Sequence, residues 1–90
     1  MRIYIAGSIT NNPNYMHDFE KAEKELLERG HEVLNPAKNN GSSYKEYIDK
    51  GLKQLMSSEA VFMLKGYQES KGALLEHHYA QAVGIEIIYQ

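Results

Sequence analysis

The sequence predicts an α/β fold in which four parallel strands, in the order 2-1-3-4, carry three helices distributed over both faces. Short apolar runs without clean alternation recur along the chain, which is typical of strands buried on both faces. Segments with helical spacing of apolar residues separate these runs, and right-handed crossovers then limit the topology. Because 90 residues supply material for one core, we expect residues 1–90 to form a single domain.

The first half of the chain predicts two strands and a helix. Residues 3–6 form a short apolar run rich in β-branched and aromatic side chains, which favours a buried strand. Over residues 15–29 apolar side chains recur at intervals of three and four, which predicts an amphipathic helix. Asn12 is the expected N-cap of this helix, and Gly30 follows its expected end. Residues 31–34 form the second predicted strand.

The second half predicts two further strand and helix pairs. Ser43 and Glu46 have the spacing of a capping box, which places a helix start just before residues 44–57. The remaining elements are a strand at residues 60–64, a helix at residues 71–83 and a strand at residues 85–89.

Composition and charge exclude several classes of protein. Ten Lys and Arg against twelve Asp and Glu give a net charge of −2, so no basic excess favours binding to a nucleic-acid polymer. The absence of cysteine excludes disulfides, thiolate catalysis and cysteine-bound zinc. The apolar runs are too short to cross a bilayer, and the N-terminus lacks the apolar core of a signal peptide. We therefore expect a cytoplasmic protein without a membrane partner.

Polar and glycine-rich turns follow the strands whose order reverses in the predicted sheet. In doubly wound sheets, ligands bind beyond the carboxyl ends of the strands at this reversal. Three groups of candidate binding residues are expected at that edge: Gly7, Ser8, Ile9 and Thr10 after strand 1, Asn35 after strand 2, and Tyr67, Ser70 and Gly72 after strand 3.

The start of the third helix carries the strongest chemical pattern. Ser70 and Gly72 lie where unpaired N–H groups and the helix dipole favour a phosphate or carboxylate. Glu76 follows within the next turns and has the chemistry to attack, or to activate water against, the sugar carbon of a bound nucleotide. Tyr4 lies inside strand 1, and its hydroxyl needs a partner such as a glutamate. The alternative is that Ser70 is only an N-cap, Glu76 a solvated helix residue and Tyr4 a core tyrosine.

Other titratable residues have weaker patterns. His77 and His78 are adjacent on a helix and diverge by about 100°, so they do not form a metal site together. Asp49 falls off the apolar stripe of the second helix, and Glu59 lies at the opposite end of the predicted sheet. Neither is expected to supply a second acid beside Glu76.

Two segments, IYIAGSI and KGYQESKGALLEHHYA, together with GHEVLNP between them, resemble the nucleoside 2-deoxyribosyltransferase-like superfamily over nearly the whole chain. The resemblance is nearest to short phage and bacterial members of unknown function. It implies that Glu76 is the nucleophile, that Tyr4 orients it, and that Ser70 and Gly72 hold a 5'-phosphate. It also implies a nucleotide ligand, no metal or organic cofactor, and a homo-oligomer in which subunits complete each other's sites.

The sequence departs from that family at three places. Thr10 stands where the related N-hydrolases have an arginine after the glycine-serine-isoleucine turn. Gly51 stands where the enzymes carry an aspartate on the second helix. His77 and His78 follow the glutamate, where glycine and leucine are frequent in the family.

Two functions from different classes follow from these observations. The first is a hydrolase or transferase that cleaves the N-glycosidic bond of a nucleotide or deoxynucleotide through Glu76. The alternative is a non-catalytic module that sequesters a nucleotide metabolite or signal, which in a phage would counteract host nucleotide signalling. A purely structural or interaction protein is the third interpretation. The aromatic side chains of Tyr44, Tyr47 and Tyr79 on the predicted helices favour self-association.

Overall fold

A sheet of four parallel strands in the order β2-β1-β3-β4 forms the centre of the structure, a computed structural model that describes residues 1–10, 12–39 and 43–90. The strands are β1 (Arg2–Ala6), β2 (Glu32–Leu34), β3 (Ala60–Met63) and β4 (Glu86–Tyr89). The helices are α1 (Tyr15–Glu28), α2 (Tyr44–Met56) and α3 (Lys71–Val83). The predicted fold class and strand order are confirmed, and every predicted element lies within one residue of its expected ends.

The central strands divide the core into two layers because their side chains alternate between the faces of the sheet. Ile3 and Ile5 of β1 point towards α1 and pack with Phe19 of that helix. Tyr4 and Ala6 point to the opposite face, where they belong to the core beneath α2 and α3. This alternation places the phenol ring of Tyr4 on the side of the sheet that carries α3.

Helix ends follow the local sequence, with one correction at α1. The Ser43 side chain accepts a hydrogen bond from the backbone N–H of Glu46 at 3.2 Å, as the capping box predicts. The prediction that Asn12 is the N-cap of α1 is wrong, because Asn14 occupies that position. The Asn12 side chain instead accepts from the backbone N–H of Asn14 and donates to the carboxylate of Asp18. Asn12 therefore stabilises the turn before the helix.

The helices are short relative to a lipid bilayer. Within the described ranges, none combines the length and the apolar content needed to span one.

Truncation of the buried ring of Phe19 tests the layer under α1. Phe19 is 0% exposed, so Phe19→Ala leaves a cavity and should lower the free energy of unfolding by about 3–5 kcal/mol. Leu27→Ala on the same helix is the control, because Leu27 is 51% exposed and its loss should change stability by less than about 1 kcal/mol. Urea unfolding followed by circular dichroism measures both. Equal effects of the two variants would contradict this packing.

Candidate active site

A narrow cleft opens at the carboxyl end of β1 and β3, where the strand order reverses. Its walls come from the turn after β1, the first turns of α2 and the start of α3. Seven of the ten predicted site residues line this cleft: Tyr4, Gly7, Ile9, Thr10, Ser70, Gly72 and Glu76. The topology therefore brings together residues that lie more than 70 positions apart in the sequence.

Three predicted binding residues lie outside the lining of the cleft. The side chain of Asn35 accepts from the backbone N–H of Ala37 and donates to Glu23, so it is engaged in a structural turn. Tyr67 stacks on the ring of His77 with centroids 5.2 Å apart. The hydroxyl of Ser8 is directed to the carbonyl oxygen of Thr10. Local contacts thus occupy all three side chains.

The pair formed by Glu76 and Tyr4 is the central feature of the cleft. Ser70 caps α3 by accepting a hydrogen bond from the backbone N–H of Ala73 at 3.2 Å. The buried face of α3 consists of small residues beside Glu76, namely Gly72, Ala73 and Ala80. Because these residues let the helix lie close to the sheet, Glu76 is only 6% exposed. Its Oε2 accepts a hydrogen bond from the hydroxyl of Tyr4.

Burial changes the acidity of both partners. Loss of hydration raises the pKa of Glu76 from 4.5 to about 7, although the hydrogen bond from Tyr4 acts in the opposite direction. Burial, followed by the charge of Glu76, raises the pKa of Tyr4 far above its ordinary value. Tyr4 therefore remains a protonated donor near neutral pH, while Glu76 exchanges its proton there.

Two glycines allow the helices to approach the cleft closely. A Cβ atom at Gly51 would lie 2.7 Å from the Tyr4 hydroxyl and 2.9 Å from Oε2 of Glu76. At Gly72 it would lie 2.8 Å from the side chain of Ile48 on α2. Real Cβ atoms essentially never approach that closely, so neither position admits a side chain without rearrangement. The resemblance leads us to expect an acid at position 51 of α2. The Tyr4–Glu76 pair occupies the space that the side chain of such an acid would need.

No second carboxylate stands beside Glu76 in the described lining of the cleft. Asp49 is exposed and pairs with Lys53 at 3.1 Å. Glu59 accepts from the backbone N–H of Arg2 at the amino end of the sheet. The predictions that these two acids lie away from the cleft are confirmed.

Side chains of α2 complete the cleft in a way that the sequence did not indicate. Tyr44, Tyr47 and Ile48 line it together with Pro36 and Ala73. The spacing of three and four residues between the α2 side chains predicts only an apolar stripe, and the aromatic rings of Tyr44 and Tyr47 favour a subunit contact. Their approach to Glu76 depends on the packing of α2 against α3, which no local pattern encodes.

The cleft is narrow, and a wider hollow forms its mouth. The cleft itself has a cavity volume of about 20 Å³, enough for one water-sized group. An adjoining hollow of about 320 Å³ shares Thr10, Tyr44 and Ser70 with the cleft and adds Glu69 and Lys71. A larger depression of about 720 Å³ lies over the charged outer surface of α1, away from the strand ends and from Glu76. Of these three cavities, as lined by the described residues, only the cleft contains a buried carboxylate, that of Glu76.

The adjacent histidines of α3 lie apart from this cleft. His77 Nε2 lies 2.7 Å from the hydroxyl of Tyr89. The rings of His77 and His78 stand edge to face with centroids 6.5 Å apart. Across the described ranges, no three His, Asp or Glu side chains are grouped so that they could hold a metal ion.

Replacement of Glu76 by glutamine should stabilise the protein in a pH-dependent way. As the pH rises from 4.5 to about 7, the unfolded chain ionises Glu76 while the folded protein keeps its proton, so wild-type stability falls over this window. Glutamine keeps a carbonyl acceptor for Tyr4 but cannot ionise. Glu76→Gln should therefore gain up to about 3 kcal/mol at pH 8 and almost nothing at pH 4.

Urea unfolding at these two pH values measures the difference, with Glu25→Gln on the exposed surface of α1 as the control. A stability difference that does not change with pH would show that Glu76 is not buried as described.

Comparison with known proteins agrees with this architecture. The solved structure of the 2-deoxyribosyltransferase from the psychrotolerant bacterium Bacillus psychrosaccharolyticus is similar, with a TM-score of 0.77, 20% sequence identity, and coverage of 99% of this chain and 71% of that chain. This confirms the predicted nucleoside 2-deoxyribosyltransferase-like fold. No curated protein sequence matches the chain. A family model described as "Domain of unknown function (DUF4406)" matches residues 1–89, and the chain belongs to that family.

Proposed function

We propose that the chain binds a nucleotide in the cleft and cleaves or exchanges its N-glycosidic bond, with Glu76 as the nucleophile. The observation that carries the proposal is a single buried carboxylate, held by Tyr4 at the switch point of the sheet. Its pKa of about 7 lets it be ionised at neutral pH while remaining more nucleophilic than an ordinary carboxylate. Similarity to a deoxyribosyltransferase in fold supports the same reaction class.

The arrangement of the cleft gives the ligand an orientation. Along the axis of α3, Ser70 and Glu76 are separated by about 9 Å, and the Glu76 side chain points back towards the helix start. The α3 N-terminus and the positive charge of Lys71 favour the phosphate at the mouth, which Thr10, Tyr44 and Ser70 also line. Glu69 adds one negative charge there. The anomeric carbon of the sugar then lies next to Glu76.

The reaction proceeds in two displacements at the anomeric carbon. Tyr4 holds Oε2, so the other carboxylate oxygen of Glu76 attacks this carbon, the C–N bond breaks, and the base leaves with the bonding electron pair and takes a proton from water. A water molecule or a second base then attacks the same carbon, releases the Glu76 carboxylate and gives up a proton. The sugar product should retain its configuration because each displacement inverts the carbon.

A second candidate function is binding without chemistry. The presence of glycine at position 51 favours this second function. In the described lining of the cleft, no second acid stands opposite Glu76 to protonate a leaving group. A module of this kind sequesters the nucleotide and releases it intact.

Base release tests the catalytic proposal. The purified protein is incubated with ribonucleoside and deoxyribonucleoside 5'-monophosphates and cyclic nucleotides, and free base is measured by chromatography. We expect release from at least one nucleotide, with a loss of roughly 10³-fold or more in Glu76→Gln and unchanged release in the exposed control Glu25→Gln.

Ligand-induced thermal shifts separate the two functions. A ligand at 100 times its Kd stabilises the folded state by about 2.7 kcal/mol. A rise in Tm with the nucleotide recovered intact supports the binding module. Base release that persists in Glu76→Gln would contradict the nucleophile, and neither release nor a thermal shift across the panel would contradict both functions.

We also propose that two copies of the chain associate through the layer of α2 and α3. Four large apolar side chains of these helices are about half exposed or more, namely Tyr44, Met56, Leu75 and Val83. A chain of 90 residues buries only a modest share of its surface when it folds. A second copy would remove these four exposed apolar side chains from water.

Light scattering at micromolar concentration tests this association. We expect the mass of a dimer or larger oligomer, and we expect Leu75→Glu to shift it towards the monomer because the substitution places a charge on the apolar layer. Leu27→Glu on the exposed part of α1 is the control. A monomer at this concentration would show that the proposed association is wrong.

A further inference from the structure

The hydroxyl of Tyr47 is a buried polar group without a partner. Tyr47 lies on α2 and lines the cleft together with Glu76. Its hydroxyl oxygen is buried and makes no hydrogen bond within the described part of the chain. A buried hydroxyl left unpaired costs about 1–3 kcal/mol, so its presence in a cleft indicates a partner that is supplied from outside the chain.

The groups around Tyr47 limit what that partner is. Oε2 of Glu76 already accepts from Tyr4, and Gly51, one helical turn further along α2, has no side chain to offer. Burial and then the charge of Glu76 raise the pKa of Tyr47 well above its ordinary value, so the group stays protonated. The partner must therefore hydrogen-bond with a neutral phenol, which donates one hydrogen bond and can also accept.

The size of the enclosed space identifies the kind of group. The cleft has a cavity volume of about 20 Å³, which holds one group of the size of water or a hydroxyl and excludes a whole purine, pyrimidine or sugar ring. In the orientation proposed above, the part of the nucleotide beside Glu76 is the pentose. Apart from the ring oxygen, the polar groups that a pentose presents there are hydroxyls.

We infer that Tyr47 binds a hydroxyl of the pentose and so makes the cleft selective for sugars that retain this hydroxyl. The inference rests on the proposed nucleotide-binding function and assigns Tyr47 a positioning role that does not require it to touch the reacting atoms. A site that leaves a buried hydroxyl unpaired discriminates against a ligand that lacks the matching group.

Removal of the hydroxyl in the protein and in the ligand tests the pairing. Binding is measured by thermal shift in the Glu76→Gln background, which keeps the ligand intact, with ribose, 2'-deoxy, 3'-deoxy and 2',3'-dideoxy nucleoside 5'-monophosphates. We expect the loss of one sugar hydroxyl to weaken binding at least tenfold. With Tyr47→Phe added, ligands with and without that hydroxyl should bind equally. Tyr79→Phe, outside the lining of the cleft, should keep the original preference.

The ligand-free protein supplies a second readout. Because Tyr47→Phe removes an unpaired polar group, its urea midpoint should be unchanged or higher than that of the parent. A lower midpoint, or a sugar preference that survives Tyr47→Phe while nucleotides still bind, would overturn the inference and leave the proposed function intact. Absence of binding by every nucleotide to the parent would overturn both.

Discussion

The burial of the Glu76 carboxylate against the hydroxyl of Tyr4 is the constraint on which the rest of the site depends. Glu76 is 6% exposed, so its carboxylate loses most of its hydration, and one neutral hydrogen bond from Tyr4 only partly replaces it. The raised pKa of Glu76 follows from that imbalance. A chain selected for stability alone would have an apolar residue or an amide at this position, so the carboxylate indicates a function.

Close packing of the helices makes this burial achievable. Small residues on the inner face of α3 bring the backbone near the sheet, and Gly51 of α2 leaves room for the hydrogen-bonded pair. The same contacts keep the cavity volume of the cleft to about 20 Å³. Shape and electrostatics are therefore coupled, because any side chain at Gly51 would displace the groups whose burial sets the pKa of Glu76.

The two tyrosines that face Glu76 have opposite hydrogen-bonding states. Tyr4 comes from the centre of the sheet and has its partner within the chain. Tyr47 comes from a helix at the edge of the cleft and has none among the described residues. The Tyr4 hydroxyl thus positions the carboxylate, and the Tyr47 hydroxyl is available to a ligand. Both of these polar neighbours of Glu76 are uncharged.

The sequence by itself determined the order of the elements, because apolar periodicity and capping residues are local signals, and parallel strands joined by right-handed crossovers leave few topologies. It also indicated Glu76, which follows the start of the third helix, and Tyr4, whose hydroxyl lies inside an apolar strand and needs a partner. Only the tertiary structure decided that Asn35 and Tyr67 are engaged elsewhere and that Tyr47 enters the cleft. The packing of α2 on α3 decides the place of Tyr47. Contacts with Glu23 of α1 and with His77 of α3 decide the places of Asn35 and Tyr67, and no local sequence pattern encodes which side chains meet in this way.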